Sequence, residues 1–322
     1  MNAKNAFREI AIDLAPKQPQ LVDYLLEEAP ALELVPFFPT TDGMNHVFEE
    51  LEDVVGNGLV DADAPLPSVT ARTGLKQTAL SVLGGRMEIG EDKAKQMGGA
   101  GVAFQKRLPQ VLKKTGKDTE QSVIYNNLRA TAIETRNSGV ITGSADHAID
   151  AGGIGAVNYS IVVVKYEEGQ LGGLYNPDGF GRGMLFDMEP INGGSLYDLR
   201  DNPGVLGYGM RLKSYFGMLM ANPRNVASIV NVDLDLDGGE FKALPTAAMI
   251  DDAIDAVRGM NNGNTVMYMH PTLAARLRVY KENILQMQIQ ERNLDRQLEA
   301  WNGIPIITTY NMLKRAEPRV TF

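Results

Sequence analysis

Residues 207–233 read GYGMRLKSYFGMLMANPRNVASIVNVD, and this stretch decides the fold. From Met210 to Met220 apolar and polar side chains alternate, which is the period of a β-strand with one face on a core. The NPRN sequence that follows favours a turn, because Pro fixes φ and Asn tolerates unusual backbone angles. The β-branched residues of 226–232 predict a returning strand. We therefore predict a β-hairpin whose Met-rich face holds the long helices of the protein.

Composition limits the classes of function that this chain can have. It has 322 residues, 44% of them hydrophobic, which is enough for one large domain or two modest domains with a real core. The net charge of −9 argues against a protein dedicated to nucleic acid binding. The absence of cysteine excludes disulfides, thiolate catalysis and cysteine-ligated metals. The sequence lacks an apolar run suited to a signal peptide or a membrane span, so we expect a protein of the cytoplasm.

The N-terminal part of the chain is predicted to reach away from the core. Residues 1–39 form an arm with a short helix over 21–29 and an apolar, proline-rich run at 34–39. Because prolines block regular structure, that run must lie along its own domain or along a neighbouring subunit. Residues 40–80 predict a projection of two strands, which needs a surface to lie on. Its first strand is acidic, and Lys and Arg are absent from Thr40 to Thr70.

A helical region follows at residues 92–137. Apolar residues recur at helical spacing on both sides of Gly116. We predict that Pro109 kinks or restarts the first helix, that Gly116 ends it, and that Asp118 begins the next. The first helix is basic, with no acidic residue from Val102 to Lys117.

The C-terminal part alternates between strand and helix patterns. We predict a helix that ends at Gly259, a strand at 265–269, a helix after Pro271 and strands at 285–289 and 304–310. Together these elements make a compact α/β module. A short β-branched strand is predicted separately at 160–166, before the hairpin.

Acidic residues at the end of the predicted hairpin are the strongest hint of chemistry. Asp233, Asp235, Asp237 and the glycine after them imitate the start of a calcium-binding loop. The twelfth position of such a loop should be a bidentate Glu and is Leu244, which favours a polar strand end instead. The three histidines are too far apart in sequence to indicate a metal site, and the glycine-rich stretches lack the strand-to-helix context of a nucleotide loop. We predict no cofactor.

Four stretches, taken in chain order, resemble the major capsid protein of tailed phages of the Hong Kong ninety-seven type. They are LVPFFPTTD at 34–42, YFGMLMANPRNVASIVNVD at 215–233, TVMYMHPTLAARLR at 265–278 and GIPIITTYNML at 303–313. Each stretch alone is a weak signal, and the order of all four makes the resemblance specific.

The resemblance implies an α+β phage capsid fold. Its parts are an N-terminal arm, an extended β-hairpin loop, a peripheral domain of long helix plus β-sheet, and a small α/β axial domain. The implied boundaries are 1–39 for the arm, 40–80 for the loop, 81–244 for the peripheral domain, 245–303 for the axial domain and 304–322 for a strand returning to the peripheral domain.

The resemblance also implies a function. The chain would be a structural protein that assembles into hexamers and pentamers of an icosahedral head around double-stranded DNA, with no catalytic residue, metal or cofactor. Implied partners are further copies of the chain, a scaffolding protein, a portal, a decoration protein and DNA held without sequence preference, but no membrane. The chain would belong to the virion and assemble in the host cytoplasm. Arg211, Lys213 and Tyr215 would face a neighbour or the DNA.

Charge complementarity predicts where adjacent subunits meet. The acidic projection and the basic helix carry opposite charge, and many weak ion pairs repeated in one lattice act together. The predicted contact residues are Glu49, Glu50, Glu52, Asp53, Lys106, Arg107, Lys113 and Lys114.

Three other functions stay open at this point. The first is a metal-dependent enzyme that uses Asp233, Asp235 and Asp237. The second is the shell of an encapsulating nanocompartment, which would share the fold and differ in cargo. The third is a nucleic-acid-binding module built on the basic run at 106–117 with Arg129.

Overall fold

The structure is a computed structural model, and it describes most of the chain. The described ranges are 19–55, 70–139, 143–155, 158–176, 186–237, 240–260, 264–280 and 299–322. Three predicted features lie outside them: arm residues 1–18, the tip of the projection at 56–69 and the strand at 285–289. No helix in the described ranges combines the length and the apolar character needed to cross a membrane.

One long helical element organises the described helices. The α-helices are α1 (Pro19–Leu26), α2 (Pro30–Leu34), α3 (Glu91–Gln96), α4 (Ala100–Ser122), α5 (Ala130–Ser138), α6 (Ala247–Ala256) and α7 (Pro271–Tyr280). A π-helical segment, Val123–Arg129, joins α4 to α5 without a break. We call residues 100–138 the spine.

The predicted breaks in the spine are wrong. Helix α4 continues through both Pro109 and Gly116, because its buried stripe packs on the arm and on the sheets and this packing outweighs local propensity. Gly116 serves a different purpose: a Cβ atom there would lie 2.1 Å from the carbonyl oxygen of Leu25. Glycine therefore lets α1 approach the spine backbone to backbone. Asp118 begins no helix and instead pairs with Lys114, one turn earlier in α4.

The strands form two large sheets and one hairpin. They are β1 (Phe37–Pro39), β2 (Asn45–Val55), β3 (Thr70–Ala79), β4 (Ser81–Gly90), β5 (Ala148–Asp150), β6 (Tyr159–Lys165), β7 (Leu171–Tyr175), β8 (Asp187–Pro190), β9 (Tyr197–Asp198), β10 (Leu206–Met220), β11 (Val226–Asp237), β12 (Glu240–Ala243), β13 (Thr265–Met269), β14 (Glu299–Trp301) and β15 (Ile304–Thr308). The first sheet has the order β1-β7-β10-β4, with β8 and β9 also paired to β10. The second has the order β12-β11-β6-β13-β15-β14, with β5 paired to β11.

The β-hairpin predicted at 207–233 is wrong, although both of its strands exist. The turn forms at Pro223–Asn225, where Asn222 Oδ1 accepts a hydrogen bond from Arg224 N at 3.1 Å. The strands then diverge, β10 into the first sheet and β11 into the second. The cause is burial: β11 is buried on both faces from Val226 to Val232, whereas β10 is buried mainly on alternate residues. A strand buried on both faces needs a sheet that is covered on both faces.

The second sheet has such a covering. Its central strand β6 sends Val162 and Val164 into the cluster that holds the spine residues Leu112 and Ile124. The alternate residues of β6 pack instead with helices α6 and α7. This sheet joins β6 and β11 to β13 and β15, so it crosses the predicted border between residues 244 and 245. The division of the chain into domains remains a prediction.

The Met-rich face of β10 holds the spine, as predicted. Met210 packs beside Phe104 near the start of α4, and Leu212 and Met218 pack in the cluster of Leu112. The predicted α+β fold is therefore confirmed.

The described part of the arm packs on its own chain, which decides between the two predicted locations. Val22, Leu25 and Leu32 are buried against the spine, and the proline-rich run becomes β1, parallel to β7. Gly173 lies against the ring of Phe37, where a Cβ atom would come within 2.4 Å of it. The projection forms the antiparallel pair β2–β3, as predicted.

Candidate functional site

A buried carboxylate joins three parts of the chain that are distant in sequence. Glu120, on the spine, is 0% exposed. Its Oε2 accepts a hydrogen bond from the backbone N–H of Ala31 in the arm at 2.9 Å. Its Oε1 accepts from the hydroxyl of Thr309 and, at 3.1 Å, from the amide of Asn311. We call Glu28, Ala31, Glu120, Thr309 and Asn311 the junction.

The junction fixes the arm and the C-terminal segment to each other as well as to the spine. The amide of Asn311 also donates to the carbonyl oxygen of Glu28 at 2.6 Å. The backbone N–H of Asn311 donates to the Thr309 hydroxyl at 3.1 Å. Glu120 therefore links the spine to the arm through Ala31 and to the C-terminal segment through Thr309 and Asn311.

A second buried cluster lies further along the spine. Glu317, which is 1% exposed, accepts hydrogen bonds from Tyr125 at 2.6 Å and from the hydroxyl of Ser160. Arg129 Nε donates to the same Ser160 hydroxyl at 3.0 Å, and its Nη2 lies 3.5 Å from Glu317 Oε2 as an ion pair. The Tyr125 hydroxyl in turn accepts from the backbone N–H of Leu313 at 2.8 Å.

The π-helical segment positions this second cluster. In an α-helix, side chains five residues apart point in different directions. In a π-helix each backbone N–H bonds to the fifth residue before it, so side chains five residues apart come closer to one face. The segment from Val123 to Arg129 turns Tyr125, five residues after Glu120, toward the C-terminal segment that Glu120 also binds. Residues 309–317 are therefore held along the spine at two points.

Burial controls the electrostatics of both clusters. It raises the pKa of Glu120, and the hydrogen bonds from Thr309, Asn311 and Ala31 oppose the rise. Burial likewise raises the pKa of Glu317, against the hydrogen bonds from Ser160 and Tyr125 and the charge of Arg129.

The pH dependence of stability should reveal Glu317. The pKa of Glu317 in the folded protein lies above the ordinary value of 4.5. Protonation of Glu317 therefore stabilises the folded state fully below pH 4.5, and this stabilisation is lost as pH rises through the folded-state pKa. We expect the unfolding free energy of the wild type, relative to Glu317→Gln, to fall as pH rises from 4.5. Urea unfolding of both proteins over this range measures the difference. A difference that grows with pH would contradict the assignment.

The structure gives several of the predicted contact cations partners within their own chain. Lys113 lies 2.7 Å from Glu27 of the arm, Lys114 pairs with Asp118, and Arg107 donates to the carbonyl oxygen of Glu88 at 3.4 Å. Lys106 is exposed and makes no ion pair with another described residue. The prediction that these cations meet a neighbouring subunit remains a prediction.

The predicted acidic contacts lie on the first strand of the projection. Glu49 is exposed on β2, opposite Leu75 of β3. The side chains of Glu50, Glu52 and Asp53 lie outside the described part of the chain, although their backbone belongs to β2. Of the described side chains, Glu49 forms no ion pair with the predicted cations, and the contact between subunits stays a prediction.

The aspartates near the end of β11 have other partners. Asp233 is buried and accepts from the backbone N–H of Asp235 at 2.9 Å, while Asp235 pairs with Arg315. The side chain of Asp237 is not described. Within the described ranges no group of three or more His, Asp or Glu side chains is arranged to hold a metal ion.

Sequence reasoning missed the junction. One signal was present: Glu120 occupies the same helical stripe as Leu112, Gly116 and Ile124, all buried, at intervals of four residues. A carboxylate on an apolar stripe must find buried partners. The sequence could have marked Glu120 in this way, but not its partners in the arm and the C-terminal segment.

Comparison with known proteins identifies relatives of this chain. The family model for major capsid protein GP7 matches residues 110–321, which is 212 of the 322 residues. A chain of the solved structure of bacteriophage Epsilon15 is 18% identical with a TM-score of 0.53, and the match covers 87% of both chains. A chain of the bacteriophage JBD30 capsid is 9% identical with a TM-score of 0.49, over 85% of this chain and 88% of that one. A search of curated proteins finds no match.

Proposed function

The chain belongs to the major capsid protein GP7 family and has the Hong Kong ninety-seven-type capsid fold, and from this premise we propose that it builds hexamers and pentamers of an icosahedral shell around double-stranded DNA. The observation that carries the proposal is the family match, which spans two thirds of the chain. Its role is structural, as part of the virion capsid.

Several partners belong to the proposal. The shell subunits associate with a scaffolding protein during assembly in the host cytoplasm, with a portal at one vertex and with a decoration protein on the outside. The packaged DNA is held without sequence preference. The enzyme alternative is not favoured, because Asp233 and Asp235 are engaged by a backbone N–H and by Arg315.

Exposed features of the fold support the assembly proposal. Obligate interfaces bury about 2,000–5,000 Å², and a projecting hairpin supplies such area without enlarging the core. Leu75 on β3 is 75% exposed, and Val47 on β2 is exposed as well. The two side chains lie on the same face of the hairpin, because residue 47 pairs with residue 77 and residue 49 pairs with residue 75. Apolar side chains on an unpartnered hairpin favour contact with another copy.

Ion pairs between the projection and the spine of a neighbour are part of the proposal. Lys113 and Lys114 already have partners within their chain. Lys106 is therefore the most suitable cation for a test, because it is exposed and makes no ion pair with a described residue. Glu49 is the matching acid, because it is exposed on the described part of β2.

A charge exchange tests this contact. Glu49→Lys and Lys106→Glu should each lower the yield of shells, because a repeated attraction becomes a repulsion, although each exposed pair contributes only about 0–1 kcal/mol. The double variant should recover shell yield, measured by sedimentation and negative-stain microscopy. Lys93→Glu, at an exposed position of α3, is the matched control and should assemble normally. Normal shells from both single variants, or no recovery in the double variant, would refute the pairing.

Light scattering of the purified chain tests the shell itself. A shell protein should form particles far larger than the 35.1 kDa subunit, with or without the scaffolding protein encoded beside it. A chain that stays monomeric at every salt concentration and with scaffold present would refute the proposal.

A further inference from the structure

Several strand ends meet at one edge of the second sheet. Met269, the last residue of β13, pairs with Ile161 near the start of β6 and with Thr308 at the end of β15. Val232 of β11 pairs with Tyr159, the first residue of β6. The segment that leaves β15 therefore begins at this edge. Residue 317 stays there, since Glu317 forms a bridge with Asn158, next to Tyr159.

Buried anchors hold this segment and leave its cations exposed. Met312 and Glu317 are buried, and the side-chain amide of Asn231 exchanges two hydrogen bonds of 2.8 Å with the backbone of Val320. Lys314 and Arg319 point to solvent between these anchors. The backbone that carries the cations is thus fixed at both ends.

Positive charge dominates the described surface at this edge. Its exposed cations are Arg276, Lys314, Arg315 and Arg319. The described acids here have other partners than Lys314 and Arg319. Asp235 pairs with Arg315, and Glu317 is turned inward to Arg129. Asp150 accepts from the amide of Asn231, and buried Asp233 accepts from the backbone N–H of Asp235. Burial, and after it the charge of Lys314, lowers the pKa of His270, so the charge of Lys314 lies close to the end of β13. This excess stands out in a chain of net charge −9.

An aromatic residue lies on the same edge. Tyr310 is 83% exposed and packs the edge of its ring on His270, with 5.8 Å between ring centroids. On the neighbouring helix α7 the guanidinium of Arg276 lies over the ring of Phe241, 5.8 Å from its centroid. Lys, Arg and Tyr side chains are the groups that bind the phosphates of duplex DNA.

We propose that the edge formed by Tyr310, Lys314, Arg315 and Arg319, with Arg276 beside it, is the surface through which the subunit contacts the phosphates of double-stranded DNA without reading its sequence. The inference rests on the proposed function of enclosing DNA. The charge of this surface favours a polyanion over a protein partner, because four of its five residues are cations and the fifth, Tyr310, is a side chain that also binds phosphate. A polyanion needs only the charges.

The salt dependence of DNA binding tests the proposal. The full-length unassembled subunit is titrated into a fluorescent 30-base-pair duplex of random sequence between 50 and 200 mM salt. Lys314→Gln/Arg319→Gln should make the negative slope of log affinity against log salt shallower by about 2, because each phosphate contact contributes about −0.9 to it. Lys93→Gln/Lys95→Gln, which removes the same charge from α3, should keep the wild-type slope.

A second variant separates charge from folding. Lys314→Arg/Arg319→Lys keeps the charge and should keep the wild-type slope. An unchanged slope for Lys314→Gln/Arg319→Gln, an equal loss in the α3 control, or a loss in the charge-conserving variant would each overturn the inference. Microscopy of the same variants keeps the two proposals distinct. If Lys314→Gln/Arg319→Gln forms shells and binds DNA as the wild type does, this inference alone is refuted. If the wild-type chain forms no shells, the proposed function is refuted.

Discussion

Replacing Glu120 with alanine is expected to lower the free energy of unfolding by about 3–5 kcal/mol. The substitution leaves the N–H of Ala31, the hydroxyl of Thr309 and the amide of Asn311 without their buried acceptor. Each unsatisfied buried donor costs about 1–3 kcal/mol. Chemical denaturation of the unassembled subunit measures the change.

The effect should be local as well as global. Hydrogen exchange should increase at residues 28–32 and 309–313, because the arm and the C-terminal segment lose their common anchor. Glu134→Ala, on the exposed face of α5, is the matched control and should change stability by less than about 0.5 kcal/mol. A loss below about 1 kcal/mol for Glu120→Ala would show that Glu120 is not the anchor.

Gly116→Ala is expected to destabilise the subunit by about 2–3 kcal/mol, although alanine is the better helix former. The new Cβ atom would lie 2.1 Å from the carbonyl oxygen of Leu25 and 3.1 Å from its carbonyl carbon. A backbone carbonyl cannot rotate away as a flexible side chain can, so α1 must shift from the spine. Protease cleavage in the arm and the urea midpoint both report this shift.

Another glycine of the same helix provides the control. Gly101 has no atom within 4 Å of where its Cβ would lie. Gly101→Ala should therefore be neutral or stabilising by up to about 1 kcal/mol, as helix propensity predicts. If Gly116→Ala behaves like Gly101→Ala, the close approach of α1 to the spine does not hold.

The sequence located elements better than it located their partners. Period-two alternation found β10, and the β-branched run at 160–166 found β6, which the structure shows to be buried on both faces. Strand pairing was predicted wrongly at 207–233, because a short turn makes neighbours in sequence look like a hairpin. The burial of β11 on both faces determined its sheet, and burial depends on helices that lie far away in the chain.

The spine shows the same limit. Pro109 and Gly116 are helix breakers by local propensity, yet α4 passes through both because tertiary packing outweighs propensity. The reason for Gly116 lies in α1, about 90 residues earlier, and could not be read from its neighbours.

The junction was beyond sequence reasoning for a related reason. Glu120 is 89 residues from Ala31 and 189 from Thr309, and no spacing rule connects positions so far apart. The predicted contact between the acidic projection and the basic spine stays a prediction, and the structure shows that Lys113 has an acid partner, Glu27, in its own arm. These contacts hold the arm and the C-terminal segment in fixed positions on the spine.

Negative-stain microscopy of the purified chain, expressed with and without the proteins encoded beside it, tests the central claim most directly. The account predicts closed, icosahedral shells of uniform diameter in at least one of the two preparations. Monomers or irregular aggregates in both preparations, from protein that is folded by circular dichroism, would contradict it.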